Sequence, residues 1–167
     1  APIATSTINI GANLPASAAT NDAFNLSVEA LDRQGGTHTL VLTFTKTATA
    51  NEWDVTSTVT NVSFLGIDAD NNGTAGDNAL IAGTTATRLG TVIFNASGTL
   101  TTVAASTAGD DISTVNAANN LVFDIDYDDN LATGTADDRV QVALDLGTVA
   151  QNDGLTQFAG TFVPNFI

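Results

Sequence analysis

The segment Phe24–Thr47 contains two runs in which apolar and polar residues alternate, separated by a turn that holds two glycines. The positions that share one face are Phe24, Leu26, Val28 and Ala30 in the first run and His38, Leu40, Leu42 and Phe44 in the second. A period of two is typical of a half-buried β-strand, and the glycines of Asp32–Gly36 suit a tight turn. The segment is therefore predicted to form a β-hairpin, the start of an antiparallel sheet.

The composition also indicates an all-β protein. Hydrophobic residues make up 43% and charged residues only 13% of the 167 residues, so Thr, Asn, Ser and Gly must supply most of the polar surface. Thr favours strands, while Asn and Gly favour turns. The length suits one domain with a sizeable core. Because the chain has no cysteine, disulfides and thiolate metal sites are excluded.

Further alternating segments continue along the chain. They are an edge strand with Ile3, Ile8 and Ile10, a third strand at Trp53–Val59, a second hairpin formed by Arg88–Phe94, the turn Asn95–Gly98 and Thr99–Val103, and strands at Leu121–Tyr127 and Val140–Leu146. No stretch shows helical periodicity over three turns, and short connections favour hairpins over crossovers. We expect an all-β fold, an antiparallel β-barrel or sandwich built from hairpins with long polar loops. It should form a single domain over residues 1–167, with 104–120 as a surface loop or insertion.

The charge of the chain restricts its partners. With 18 acidic and 4 basic residues the formal net charge is -14. Such a surface repels phosphate backbones and anionic lipid, so neither nucleic acid nor a membrane is expected as a partner. The charge fits either cation binding or solubility outside the cell. Solubility is favoured, because net charge by itself does not define a specific site.

The sharpest local motif is the acidic loop DADNNG. It places oxygen ligands at alternate positions, namely Asp68, Asp70 and Asn72. Gly73 follows at the sixth position, as in the opening of a calcium loop. The closing glutamate is missing because the twelfth position is Ala79, and Asp77 is the available substitute. The motif predicts a calcium site, with an Asx-rich connection between strands as the alternative.

A second acidic loop repeats the alternate spacing without the glycine. Its ligands would be Asp126, Asp128 and Asn130. The same two interpretations apply, a calcium site or a turn in which Asp and Asn bind the local backbone. A melting curve in millimolar calcium against chelator separates them. Apart from calcium, no cofactor is expected.

Catalysis has little support in the sequence. His38, the only histidine, lies in the apolar register of a strand and is interpreted as a packed or hydrogen-bonded sheet residue rather than a general base. A carboxylate pair like that of glycosidases stays open because acidic residues are many. Trp53 alternates with apolar residues and is predicted to be core. Phe158, Phe162 and Phe166 are predicted to lie in a C-terminal segment that folds back on the sheet.

Several segments, taken in order, resemble bacterial flagellar hook proteins. They are ATSTINIGANLP at the start, ALDRQGGTHTLVLTFTKT, NEWDV at Asn51–Val55, VIFNASGTL at Val92–Leu100, and LDLGTVAQNDGLTQFAG at Leu144–Gly160. In the second segment Leu31 stands where the family usually has Tyr, and Gly36 where it has Asn. The acidic loops and residues 104–120 are not covered. The family's helical terminal segments are absent, which fits an outer portion of the subunit.

The resemblance implies a structural, non-enzymatic role outside the cell. Hook subunits polymerise into a short curved tube that transmits motor torque to the filament as a flexible joint. The partners would be other copies of the subunit, while the isolated segment should be monomeric and its two ends should emerge close together. Two alternatives remain, a calcium-binding module of an adhesin or surface-layer protein and a carbohydrate-active β-protein with paired carboxylates beside Trp53.

Overall fold

The computed structural model describes residues 3–59, 66–67, 87–105, 113–127 and 139–165, and these residues form strands and turns without a helix. The strands are β1 (Thr7–Asn9), β2 (Gly11–Asn13), β3 (Ala23–Leu31), β4 (Thr37–Lys46), β5 (Glu52–Val59), β6 (Gly66–Ile67), β7 (Thr87–Phe94), β8 (Leu100–Ala105), β9 (Thr114–Val115), β10 (Leu121–Asp126), β11 (Arg139–Asp145), β12 (Leu155–Thr156) and β13 (Val163–Asn165). Within this part of the chain no helix is long and apolar enough to cross a membrane.

The largest sheet is an antiparallel meander in the order β3-β4-β5-β7-β8. Its first two strands pair without a register shift from Ala23 opposite Thr45 to Leu31 opposite Thr37, so the predicted hairpin is confirmed. In β4 Leu40, Leu42 and Phe44 are buried together with His38, whereas Val41 and the threonines lie on the outer face. The predicted third strand and second hairpin correspond to β5 and to β7–β8.

Two register shifts bend the meander. The pairing of β5 with β7 skips Leu89, since Val55 lies opposite Gly90 and Thr56 opposite Arg88. Leu89 is fully buried, so the extra residue adds a side chain to the core. The pairing of β7 with β8 has a similar shift after Ile93. Such bulges increase the local twist of a sheet.

The second sheet has the order β1-β11-β10-β6, and β9 also pairs with β10. The predicted strands β10 and β11 form its antiparallel centre, whereas β1 pairs with β11 in parallel. Part of the predicted loop at 104–120 is a strand, since Thr114 and Val115 pair with Val122 and Leu121. A strand of two residues has no alternation that a sequence pattern could detect. The extent of an insertion at this position stays a prediction.

The third sheet is small and brings together segments that are far apart in the sequence. Its central strand β2 pairs in parallel with β12 and antiparallel with β13, so that Asn165 lies opposite Gly11. The predicted fold-back of the C-terminal segment is therefore confirmed up to Asn165, whereas Phe166 lies outside the described residues. Phe162, just before β13, stacks on Phe24 with 5.2 Å between ring centroids.

The two larger sheets share one hydrophobic core, which makes the fold a sandwich. The largest fully buried side chains come from both sheets and from the segment after β2; they are Trp53, Phe44, Phe123, Leu14, Leu40, Leu42, Leu89, Leu100, Leu121 and Ile125. Strands β3 and β8 lie at opposite edges of the meander. In the described part of the chain they do not pair with each other, so the sheet does not close on itself. Of the two predicted architectures, the sandwich is observed and a closed barrel is not. Whether residues 1–167 are one domain stays a prediction.

Candidate functional site

Four of the hook-like segments meet where the small sheet joins the sandwich. We call this group of residues the motif junction; its members are Asn13, Asn51, Trp53, Gly98, Thr156, Gln157 and Phe158. The segments approach from β2, from the turn before β5, from the turn between β7 and β8, and from β12. The motifs thus meet in one place although they are far apart in the sequence.

The centre of the junction is the Gln157 side chain. The indole Nε1 of Trp53 donates to Gln157 Oε1 at 2.7 Å, and Gln157 Nε2 donates to Asn51 Oδ1 at 2.9 Å. Trp53 is fully buried and Gln157 is 7% exposed, so the predicted core position of the tryptophan is confirmed. A buried indole N–H without a partner is costly, and Gln157 satisfies it.

Asn13 joins β2 to the segment after β12. Its Oδ1 accepts from the Thr156 hydroxyl at 3.0 Å and from the Phe158 amide at 2.8 Å. Its Nδ2 donates to the carbonyls of Phe158 and Thr161 at 3.4 and 3.3 Å. One amide side chain therefore holds the chain from Thr156 to Thr161 against β2.

The turn between β7 and β8 completes the junction. Asn95 Oδ1 accepts from the Thr99 amide at 3.1 Å and shapes the turn. The Gln157 amide donates to the Gly98 carbonyl at 2.8 Å, and Thr99 forms a bridge with Thr156. The backbone of the meander is therefore joined to that of the small sheet.

The turn Asp32–Gly36 positions the only histidine. Asp32 Oδ1 accepts from the amides of Gln34 and Gly36, both at 2.8 Å, and His38 Nε2 donates to Asp32 Oδ2 at 2.8 Å. His38 is 6% exposed and its ring lies 4.5 Å from that of Tyr127. Its Nδ1 has no hydrogen-bond partner among the described residues. The interpretation of His38 as a hydrogen-bonded sheet residue is confirmed.

The Asp32 carboxylate should make the stability of the fold depend on acid pH. Burial raises the pKa of Asp32, but the hydrogen bond from His38 and the two amide hydrogen bonds outweigh it and lower the pKa below its ordinary value. A lowered pKa in the folded state stabilises the fold above the unfolded pKa, and that stabilisation is lost as the pH falls through the folded value. Asp153, whose pKa is lowered by hydrogen bonds from Thr148, contributes with the same sign.

Replacing Asp32 with alanine is accordingly expected to cost about 1–3 kcal/mol at neutral pH, since three hydrogen bonds to a carboxylate are lost. Urea unfolding monitored by circular dichroism at pH 7 and at pH 3 measures this loss. The difference between wild type and variant should shrink at pH 3. A difference that is the same at both pH values would contradict the role of the ionised carboxylate.

A cavity of about 290 Å³ is lined by Asn9, Ile10, Asp145, Gly147 and Asp153. Asp145 Oδ1 accepts from the Gly147 amide at 2.9 Å, and both oxygens of Asp153 accept from Thr148. Trp53 does not line this cavity. The two carboxylates shape local turns, and this cavity is not the cleft beside Trp53 that the carbohydrate-active alternative requires.

The predicted calcium ligands are not tested by the structure. Asp68, Asp70 and Asn72 lie outside the described residues, as do Asp128 and Asn130 of the second loop. The backbone of Asp126 belongs to β10. The described ranges contain no group of three or more His, Cys, Asp or Glu side chains that could hold a metal ion. Calcium binding in these loops stays a prediction.

The pattern of the sequence did not identify Asn13, Asn51 and Gln157 as a connected group. All three lie in segments that resemble the hook family, so the order of those segments was the available signal. Their contacts join residues more than a hundred positions apart, as between Trp53 and Gln157. Alternation of apolar and polar residues carries no information on such pairs.

Comparisons with known proteins agree with the motifs. A family model described as flagellar basal body protein FlaE D2 domain matches residues 4–167. Among solved structures, the 32 kDa fragment of the flagellar hook protein FlgE from Caulobacter crescentus is 16% identical and has a TM-score of 0.49. The alignment covers 85% of this chain and 46% of that fragment, so the chain spans about half of it. No curated protein matches in sequence. The chain belongs to the FlaE D2 domain family of flagellar basal body proteins, and the assignment to flagellar hook proteins made from its motifs is confirmed.

Proposed function

We propose that this chain is a structural segment of a bacterial flagellar hook subunit, outside the cell, and that it mediates contacts between copies of the subunit in the flexible tube that transmits torque. The observation that carries the proposal is the family match over residues 4–167. In this role the chain catalyses no reaction. The burial of His38 and its hydrogen bond to Asp32 support that view, because the only imidazole is shielded from solvent and its Nε2 is bound to a carboxylate.

The motif junction suits a part that transmits force. Strands β2 and β13, from opposite ends of the given chain, lie side by side in the small sheet. Asn13 holds the segment after β12 against β2 within this sheet. The Gln157 side chain connects the sheet to the sandwich through Trp53 and Asn51, and Thr99 and Thr156 connect it through the backbone. Force applied to either strand therefore passes into the sandwich through many hydrogen bonds in parallel.

The outer face of the meander suits contacts that re-form as a tube bends. Several of its cross-strand pairs are hydrogen bonds between polar side chains, such as Thr43 to Asn25 at 2.9 Å and Thr39 to Glu29 at 3.2 Å. Short side chains lose little rotamer entropy when they are ordered at a contact. Apart from Glu29 these side chains are uncharged, and a surface of this kind allows weak contacts with a neighbouring copy. The isolated chain should accordingly be a monomer at micromolar concentration.

Immunogold electron microscopy tests the proposal. Antibody raised against the purified chain should label the short curved segment between the cell body and the filament of the source bacterium. Antibody first absorbed with the purified chain is the control and should label nothing. Label spread over the whole cell surface would contradict a hook subunit and favour the surface-layer alternative.

A further inference from the structure

The turn between β3 and β4 presents an exposed positive charge. Among the side chains that the structure describes, Arg33 is the one lysine or arginine with neither an ion pair nor a hydrogen bond. Arg88 pairs with Asp54, and Lys46 donates to two backbone carbonyls. Because the chain has 4 basic against 18 acidic residues, a free guanidinium is an unusual feature of its surface.

The turn holds the backbone of Arg33 in one conformation. Asp32 Oδ1 accepts from the amides of Gln34 and Gly36, both at 2.8 Å. Its Oδ2 accepts from Nε2 of the buried His38 at 2.8 Å. The backbone on both sides of Arg33 is therefore ordered before any partner arrives, which lowers the entropy cost of a contact made by its side chain.

The cavity beside β1 carries the opposite charge. It is lined by two carboxylates, the half-buried Asp145 and the exposed Asp153, together with Asn9. Both carboxylates accept hydrogen bonds from their local turns, and neither has a basic partner among the described residues. A guanidinium group binds carboxylates through two parallel N–H···O bonds, so a cavity of this chemistry suits an arginine side chain.

The turn and the cavity are two different surfaces of one molecule. Leu31, next to the turn, is hydrogen-bonded to Thr5, and the chain continues from Thr5 through β1 to the cavity at Asn9. The four steps from Thr5 to Asn9 span about 13 Å in an extended chain. A contact that joins two different surfaces is heterologous. Its repetition by rotation and translation builds an open helical array, which is the symmetry of a tube, whereas a two-fold contact closes after two copies.

We infer that Arg33 of one copy binds the carboxylates of Asp145 and Asp153 in the cavity of the next copy. The inference rests on the proposed function and names one contact between copies. Charge complementarity carries it, because a free guanidinium and a carboxylate-lined cavity lie on different surfaces of the same molecule. One such contact between two chains of net charge -14 is weak in dilute solution, which agrees with a monomer at micromolar concentration. It forms where copies are held at high local concentration, as in an assembled tube.

Cross-linking between two single-cysteine variants tests the contact, because the chain has no cysteine of its own. Gln34 is next to Arg33, Gln151 is close to Asp153 in the sequence, and both glutamines are exposed. At about 1 mM protein, Gln34→Cys and Gln151→Cys should be joined by a short bismaleimide at least about tenfold faster than Gln34→Cys and Thr102→Cys. Thr102 is an exposed control on β8. Isotope labelling of one variant identifies the heterodimers by mass, and equal rates for the two mixtures would overturn the inference.

A chain that carries both Gln34→Cys and Gln151→Cys tests the symmetry of the contact. A heterologous contact should link this variant into a ladder of trimers and longer products. A two-fold contact ends at the dimer. Cross-linked products that stop at the dimer would therefore overturn the inference.

Charge changes on the two sides test the residues. Arg33→Glu in the Gln34→Cys partner removes the guanidinium, and Asn9→Lys in the Gln151→Cys partner places an ammonium group in the cavity. Asn9 is exposed, and none of the described hydrogen bonds uses its side chain, so the fold should tolerate this change. Each change alone should slow heterodimer formation. With one change in each partner the charges attract again, and the rate should exceed that of either single change. Independent, multiplied losses would overturn the pairing.

The failure of this contact and the failure of the proposed function are distinguishable. Immunogold label on the hook together with equal rates for the two mixtures would overturn the contact and leave the proposed function intact. Label away from the hook, with selective cross-linking and a ladder of products, would overturn the function and retain the pairing of Arg33 with the cavity.

Discussion

Replacing Trp53 with alanine is expected to lower the free energy of unfolding by about 3–5 kcal/mol, the largest effect of any single truncation in the described core. The indole is fully buried in the core and lies 5.9 Å from the ring of Phe24. Its removal leaves a cavity and also leaves Gln157 Oε1 without the indole donor. Because Trp53 is the only tryptophan, unfolding in urea must be followed by far-UV circular dichroism rather than by fluorescence.

Two further variants separate packing from hydrogen bonding at this position. Trp53→Phe keeps most of the buried ring and loses the hydrogen bond, so a smaller loss of about 1–3 kcal/mol is expected. Gln157→Leu leaves the indole N–H without a partner and should cost a similar amount. Because both changes remove the same hydrogen bond, the double variant should lose less than the sum of the two. Strict additivity, or a loss below about 1 kcal/mol for Trp53→Ala, would contradict the described junction.

The strands that could be predicted are those long enough to show alternation. Leu40, Leu42 and Phe44 of β4 are buried, and the positions of the same face in β3 are buried or half-buried, because one face of the hairpin meets the core. Alternation identifies a strand but not its neighbour. The parallel pairing of Ile8 with Leu144, and of Ala12 with Leu155, joins residues at opposite ends of the chain and leaves no local trace. For the same reason the short connections favour hairpins over crossovers in the sequence, although these two pairings are parallel.

The junction could be predicted only as separate motifs. The resemblance to hook proteins identified NEWDV and the segment that contains Gln157, yet it did not show that the two segments touch. Asn13 contributes through a single side chain that binds Thr156 and Phe158, and no local pattern distinguishes such an asparagine from one in a turn. The predicted calcium loop at Asp68–Gly73 has a local spacing rule, but it lies outside the described residues and stays a prediction.

Replacing Gly98 with alanine is expected to lower the free energy of unfolding by about 2–3 kcal/mol, because the alanine would be strained in two separate ways. Its φ of 89° lies in a region that residues with a side chain rarely adopt. An added Cβ would also lie 2.6 Å from the Gln157 carbonyl oxygen and 2.6 Å from Cδ1 of Phe158. The turn would have to move away from the small sheet, which weakens the hydrogen bond from the Gln157 amide to the Gly98 carbonyl. Urea unfolding measures the loss.

Gly160→Ala is the matched control for this prediction. Gly160 also has a positive φ, 130°, but an added Cβ would meet no atom within 4 Å. Its replacement should therefore cost only the backbone strain, about 1 kcal/mol. The difference between the two variants measures the contact between the turn at Gly98 and the segment Gln157–Phe158. If both variants lost the same free energy, the close approach of the meander to the small sheet would be wrong, and with it the path by which force enters the sandwich.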